Sequence, residues 1–171
     1  MKHLLILFLL TTTLTKAQTI FDISRQGNTE ALEALYLINK DTINSVDYKG
    51  YTPLILSVYN DKPDTVAFLL KKGADKNASD LSGNTALMGA SFKGNYKMAK
   101  LLIDNGAAIN QENYNKATAL IYASTFGHTD IVKYLLEKGA DKTLIDNRGN
   151  TALKHAEMQG NIEIIQLLKA K

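Results

Sequence analysis

The sequence predicts an all-α protein, a solenoid of stacked helix-turn-helix units that are joined by short β-turn or hairpin connections. Three observations predict this class. The 171-residue chain repeats itself every 33 residues, its glycines recur at fixed places in the repeat, and its apolar residues follow helical spacing. A period of this length indicates a repeat array in which each unit buries its apolar face against the next.

Columns of matching residues define the period. A turn residue, a helix-capping Thr and an apolar Leu each recur every 33 positions, and nine of the 11 glycines fall in three further columns. The columns are Asp47, Asp80, Asn113 and Asp146; Thr52, Thr85, Thr118 and Thr151; Leu54, Leu87, Leu120 and Leu153; Gly50, Gly83 and Gly149; Gly73, Gly106 and Gly139; and Gly94, Gly127 and Gly160.

Each column predicts one piece of local structure. The Asp-x-x-Gly sequence predicts a tight turn whose Gly takes a positive φ. The Thr that follows is suited to cap a first helix, and Pro53 suits the first helical position because its missing N–H costs nothing there. Gly94 should end the first helix and Gly139 should end a second one in the left-handed conformation. Ile131, Val132, Leu135 and Leu136 supply the apolar face of such a second helix.

The turn and second-helix sequences resemble the ankyrin repeat. The residues that carry the resemblance are Gly50-Tyr51-Thr52-Pro53-Leu54 and the run from Gly127 to Asp141, GHTDIVKYLLEKGAD. It covers residues 47–171 as four repeats. We divide the chain into a signal peptide (1–17), a degenerate N-terminal capping repeat (18–46), repeats one to three (47–79, 80–112 and 113–145) and a truncated repeat four (146–171).

The N-terminus has the pattern of a secretory signal peptide. A basic start is followed by seven apolar residues, Leu4 to Leu10, and small side chains at Thr15 and Ala17. We predict cleavage between Ala17 and Gln18, which places the mature protein in the periplasm or outside the cell, as an exported bacterial type of the family. A buried first helix or a membrane anchor is the alternative, but the run is short of the roughly 20 apolar residues of a span.

Charge and composition exclude several functions. The chain has no Cys, so disulfide frameworks, thiol nucleophiles and thiolate metal sites are excluded. Its net charge of +3 includes Lys2 and Lys16 of the leader, so the mature chain is near +1. A charge this small predicts no nucleic-acid partner. We also predict no integral membrane span and a monomer.

The sequence offers no convincing catalytic or metal site, and we predict no cofactor and no enzyme activity. His128 and Asp130 are close in sequence, and Ser91 and Ser124 occupy one column of the repeat, so the residue types of a catalytic triad are present. The resemblance implies instead that His128 is a structural residue, because ankyrin repeats commonly carry a His at this position. His155 looks isolated on a first helix, and two histidines 27 residues apart do not form a metal site by spacing. The Asp146 to Asn150 segment lacks the ligands of a calcium loop and reads as the repeat turn.

The resemblance implies that a partner is held by the turn tips and the exposed end of the first helix. At these positions six of 20 residues are aromatic, although aromatics make up 8% of the chain. Aromatic residues are enriched at recognition surfaces. The predicted protein-binding residues are Tyr48, Tyr51, Tyr59, Phe92, Tyr114 and Phe126. The alternative is that Tyr59, Phe92 and Phe126 pack between adjacent first helices.

These observations favour a non-catalytic protein–protein interaction module that binds a protein of unspecified identity. An immunity-like or inhibitory protein that neutralises an exported toxin or enzyme is the alternative within the binding class. An enzyme would need a converging set of polar groups that the sequence does not supply. A purely structural spacer would not need an aromatic surface.

Overall fold

The computed structural model describes residues 19–170 and divides the chain into two compact units, the first ending at Ala74 and the second beginning at Asp75. Both are helical, and β-pairing in the described residues is limited to two isolated bridges, Ser79 with Thr85 and Ile145 with Thr151. The all-α class and the hairpin-like connections are confirmed. The predicted signal peptide and its cleavage site lie outside the described residues.

The first unit contains the capping repeat and the helices of repeat one. Its elements are α1 (Ile20–Gln26), α2 (Thr29–Ile38), a 3-10 turn (Lys40–Asn44), α3 (Pro53–Tyr59) and α4 (Pro63–Lys71). Helix α1 packs against α3, so the first helices of the two repeats are neighbours. Leu32, Leu54 and Leu69 are fully buried in this unit.

The second unit contains three successive helix pairs. They are α5 (Ala86–Lys93) with α6 (Tyr96–Asp104), α7 (Ala119–Thr125) with α8 (Thr129–Glu137), and α9 (Ala152–Gln159) with α10 (Ile162–Lys169). First helices pack against first helices, and second helices pack against second helices. This arrangement buries Met88, Leu102, Leu120, Leu135 and Ile164 completely, and that burial is the main source of stability in an array without disulfides.

The predicted caps are confirmed. The hydroxyl oxygens of Thr52, Thr85, Thr118 and Thr151 each accept a hydrogen bond from the backbone N–H three residues later. Pro53 occupies the start of α3. Gly94 ends α5 with a φ of 71°, and Gly139 lies beyond α8 with a φ of 89°. The turn and capping chemistry therefore sets where each helix begins and ends.

One turn has Asp in place of the usual Gly but keeps the same backbone conformation. Asp61 stands in the column of Gly94, Gly127 and Gly160, and it takes the same left-handed conformation with a φ of 53°. Asp tolerates this conformation better than most residues because its short side chain can hydrogen-bond locally. Helix α4 then begins at Pro63 in the usual place.

Candidate protein-binding surface

The turn before each first helix is built around one side-chain oxygen. In repeat three the Oδ1 atom of Asn113 accepts hydrogen bonds from the N–H groups of Asn115 and Ala117, each at 2.9 Å. Asp47, Asp80 and Asp146 do the same in their own repeats. A single acceptor thus fixes the whole turn and holds the residues at its tip in a defined direction.

In the second unit, the successive turn tips are joined by hydrogen bonds. The N–H of Tyr114 donates to the carbonyl of Ser82 at 3.2 Å, and the N–H of Asn147 donates to the carbonyl of Asn115 at 2.9 Å. Gly83 permits the first contact, because a Cβ at that residue would lie 2.8 Å from the backbone N of Tyr114. The tips of repeats two, three and four therefore form one continuous edge.

A polar network links this edge to the first helices. The amide of Asn113 donates to Oδ1 of Asn84 at 2.7 Å and to the hydroxyl of Tyr122 at 3.1 Å, and that hydroxyl donates to Asn84 at 3.1 Å. Burial raises the pKa of Tyr122. The Tyr122 side chain therefore remains a neutral hydrogen-bonding group at ordinary pH.

Repeat four has a hydrogen-bonded His–Asp pair at the equivalent positions. His155 occupies the column of Tyr122, and its Nε2 atom lies 2.8 Å from Oδ2 of Asp146, with both side chains about 90% buried. Burial raises the pKa of Asp146, but hydrogen bonds from the Asn150 N–H, His155 and the Arg148 N–H outweigh it, and the pKa is lowered. The expectation that His155 is isolated was wrong, because the turn brings Asp146 to its ring.

Three aromatic rings meet along the first helices of repeats two and three. Phe92 and Phe126 contact edge to face with ring centroids 4.7 Å apart, and Phe92 lies 6.2 Å from Tyr122 in the same geometry. Phe92 and Phe126 nevertheless stay 46% and 48% exposed. Phe92 and Phe126 thus pack between the first helices on one side, as the alternative predicted, and remain open to solvent on the other.

The exposed apolar residues of the second unit include several at the predicted contact positions. Tyr114 is 73% exposed at its turn tip, Leu81 occupies the preceding tip, and Met158 lies at the end of α9. We call Leu81, Phe92, Tyr114, Phe126 and Met158 the exposed apolar surface. Of these, Leu81 and Met158 were missed as site residues because aromatic character was the only signal used.

The tyrosines of the first unit fall into two groups. Tyr48 is 82% exposed, with the Lys49 ammonium 5.5 Å from its ring centroid. Tyr51 and Tyr59 are half-buried and lie 6.0 Å apart, so each ring covers part of the other. Tyr51 therefore differs from a freely projecting residue such as Tyr48 or Tyr114.

The histidines and serines do not assemble a nucleophilic site. The Nε2 atom of His128 lies 3.2 Å from the carbonyl of Phe92, and its ring packs against Gly94. Ser91 and Ser124 are buried. In residues 19–170, no group of three His, Cys, Asp or Glu side chains could hold a metal ion, and no helix there is both long and apolar enough to cross a bilayer.

Comparison with known protein families decides the assignment. A family model described as ankyrin repeats (3 copies) matches residues 20–113 and 109–171. The chain belongs to the ankyrin-repeat family. Ankyrin repeats generally mediate protein–protein interactions and are typically non-catalytic. No curated protein matches the chain.

Proposed function

We propose that this ankyrin-repeat protein is an exported, non-catalytic module that binds another protein through its turn tips and first helices. The observation that carries the proposal is the exposure of large apolar side chains at these positions, above all Tyr114 and Tyr48. Exposed aromatic residues on a rigid scaffold bury much area at small entropic cost when a partner binds. A spacer would gain nothing from them.

Export is the second part of the proposal, and it rests on the sequence alone. The basic start, the short apolar run and the small residues before Gln18 support cleavage of a leader and a periplasmic or secreted location. The mature protein should therefore begin at Gln18. Intact mass of the protein recovered from the exported fraction measures this directly, and a chain that kept residues 1–17 there would contradict it.

Affinity capture from the exported fraction tests the binding surface. Tyr48→Ser with Tyr114→Ser should abolish capture of the partner that the wild-type mature chain retains, since hot-spot tyrosines contribute about 2 kcal/mol or more each. The midpoint of unfolding should stay nearly unchanged, because exposed substitutions shift stability by about 0.5 kcal/mol or less. Tyr51 is left intact because it packs against Tyr59.

The matched control is Leu37→Ser with Ile162→Ser. These side chains are 63% and 70% exposed, and both belong to second helices and not to the turn tips or the first helices. The control should capture the same partner as the wild type. Equal capture by the tyrosine variant would place the binding surface elsewhere. If the captured partner is a toxin or a hydrolase whose activity the protein blocks, the function narrows to immunity or inhibition.

A further inference from the structure

The tip of repeat three carries a lysine in a conformation that favours glycine. Lys116 stands in the column of Gly50, Gly83 and Gly149, whose φ values are 77°, 81° and 76°, and it takes a φ of 55°. A residue with a Cβ is strained in this region, and Lys lacks the short polar side chain that helps Asp61. Such strain persists where the surroundings impose it, and it is concentrated at functional positions.

No contact within the fold explains why Lys116 is there. Its side chain is exposed, and the salt bridges among residues 19–170 do not include it. A glycine would fit the turn without strain, as Gly149 does in the next repeat. The lysine therefore costs stability, and the scaffold gains nothing in return.

A second cation lies on the neighbouring tip. Arg148 is exposed and belongs to the turn of repeat four, whose Asn147 N–H donates to the carbonyl of Asn115 at 2.9 Å. Lys116 directly follows Asn115 in the chain, and Arg148 directly follows Asn147. Tyr114, in the same turn as Lys116, is 73% exposed and its ring lies next to Gly83 on the tip of repeat two. Its carbonyl accepts a hydrogen bond from the Asn147 amide at 3.2 Å.

Two acidic residues near this edge already have other partners. Both oxygens of Asp146 accept hydrogen bonds, from the Arg148 and Asn150 N–H groups and from His155. Glu157 pairs with Lys169 at 3.2 Å. Glu112 is exposed just before the turn of repeat three, but it forms no salt bridge with Lys116 or Arg148. The two cations are left without an anionic partner from the described residues.

We propose that Tyr114, Lys116 and Arg148 form a subsite that binds an acidic segment of the partner protein. This rests on the proposed function and adds the chemistry of the partner. Aspartate or glutamate carboxylates would accept hydrogen bonds from the ammonium and, in a bidentate manner, from the guanidinium. The Tyr114 ring would cover the apolar part of the same segment. A long polyanion fits less well, because the mature chain is near +1 and the basic patch spans only two tips.

Peptide selection tests this without knowing the partner. Randomised short peptides selected on the mature chain should become rich in Asp and Glu. The tightest synthetic peptide should bind about tenfold or more weakly to the double variant Lys116→Gly with Arg148→Ser, measured by fluorescence anisotropy. Raising NaCl from about 0.05 M to about 0.5 M should weaken binding to the wild type far more than to the variant.

Stability separates this role from a structural one. Lys116→Gly alone should raise the thermal midpoint by roughly 2–4 °C, because it removes the strain at that residue, while it weakens peptide binding. The control is Lys97→Ser with Lys133→Ser, which removes the same charge as the double variant. Both lysines are exposed on second helices and form no salt bridge within residues 19–170. Its affinity for the peptide should match the wild type.

Four outcomes would overturn the proposal or the function on which it rests. Selected peptides with no acidic bias, or equal affinity of the double variant, would remove the subsite and leave the binding function standing. A single-stranded DNA oligonucleotide that binds more tightly than the acidic peptide would show a nucleic-acid site instead. Selection of no peptide at all, with no partner captured from the exported fraction, would count against the proposed function itself.

Discussion

Repeats three and four have the same backbone arrangement and different chemistry at equivalent positions. In repeat three, Asn113 and Tyr122 form a neutral hydrogen-bond network with Asn84. In repeat four, the ring of His155 lies within hydrogen-bonding distance of the Asp146 carboxylate, and both side chains are about 90% buried. One turn oxygen builds both turns in the same way. A residue's place in the repeat therefore sets where its side chain lies. The hydrogen-bonding partner across from it sets whether Asn or Asp is tolerated there.

Core burial gives the largest expected difference between the two repeats. Leu120 in repeat three is 1% exposed, while Leu153 in the same column of repeat four is only half-buried. Leu120→Ala should cost about 2–5 kcal/mol in unfolding free energy because it leaves a cavity. Leu153→Ala should cost less, about 1–2 kcal/mol. Urea denaturation of both variants measures this, and equal losses would show that burial differs less than the structure indicates.

Replacing the turn residue of repeat three with that of repeat four should have the next largest effect on stability. Asn113→Asp would place a carboxylate oxygen where the amide now donates to Asn84 at 2.7 Å. A flip of the Asn84 amide would turn its oxygen toward Asp80, so one acceptor stays unsatisfied either way. We expect a loss of roughly 1–3 kcal/mol in unfolding free energy at neutral pH.

The reverse exchange, Asp146→Asn, is the matched control for this prediction. It keeps the oxygen that builds the turn, as Asn113 shows, and it leaves an amide within hydrogen-bonding distance of the His155 ring. It should therefore cost less than Asn113→Asp. If the two exchanges cost the same at pH 7, the partner residue does not govern the choice between Asn and Asp.

The smallest expected effect is a pH dependence confined to repeat four. The folded pKa of Asp146 lies below its ordinary value of 3.8, so the folded state binds fewer protons than the unfolded state near this pH. Its contribution to stability is therefore present above about pH 4 and is lost as the pH falls through the lower, folded pKa. Between pH 5 and pH 3, the urea midpoint of Asp146→Asn should fall less than that of the wild type. Parallel losses would assign the acid sensitivity to other carboxylates.

Local sequence patterns are sufficient to predict the repeat. Helix starts at the Thr column and helix ends at Gly94 and Gly139 depend on local backbone chemistry, which residues within four positions decide. The period then implies how successive helix pairs pack, and the family match over residues 20–113 and 109–171 agrees with it. The boundaries chosen between the repeats and the signal peptide remain predictions.

Which side chains are free to bind depends on how distant parts of the chain pack together. Tyr48 and Tyr51 look alike in sequence, yet Tyr51 is half-buried against Tyr59 and Tyr48 projects into solvent. His155 looked isolated until the turn placed Asp146 beside it. The sequence shows only that Lys116 interrupts a glycine column, and its positive φ, like the hydrogen bond that joins the neighbouring Asn115 to the tip of repeat four, appears only in the folded turn. Exposure and pairing depend on atoms brought together from distant positions, and no local pattern records them.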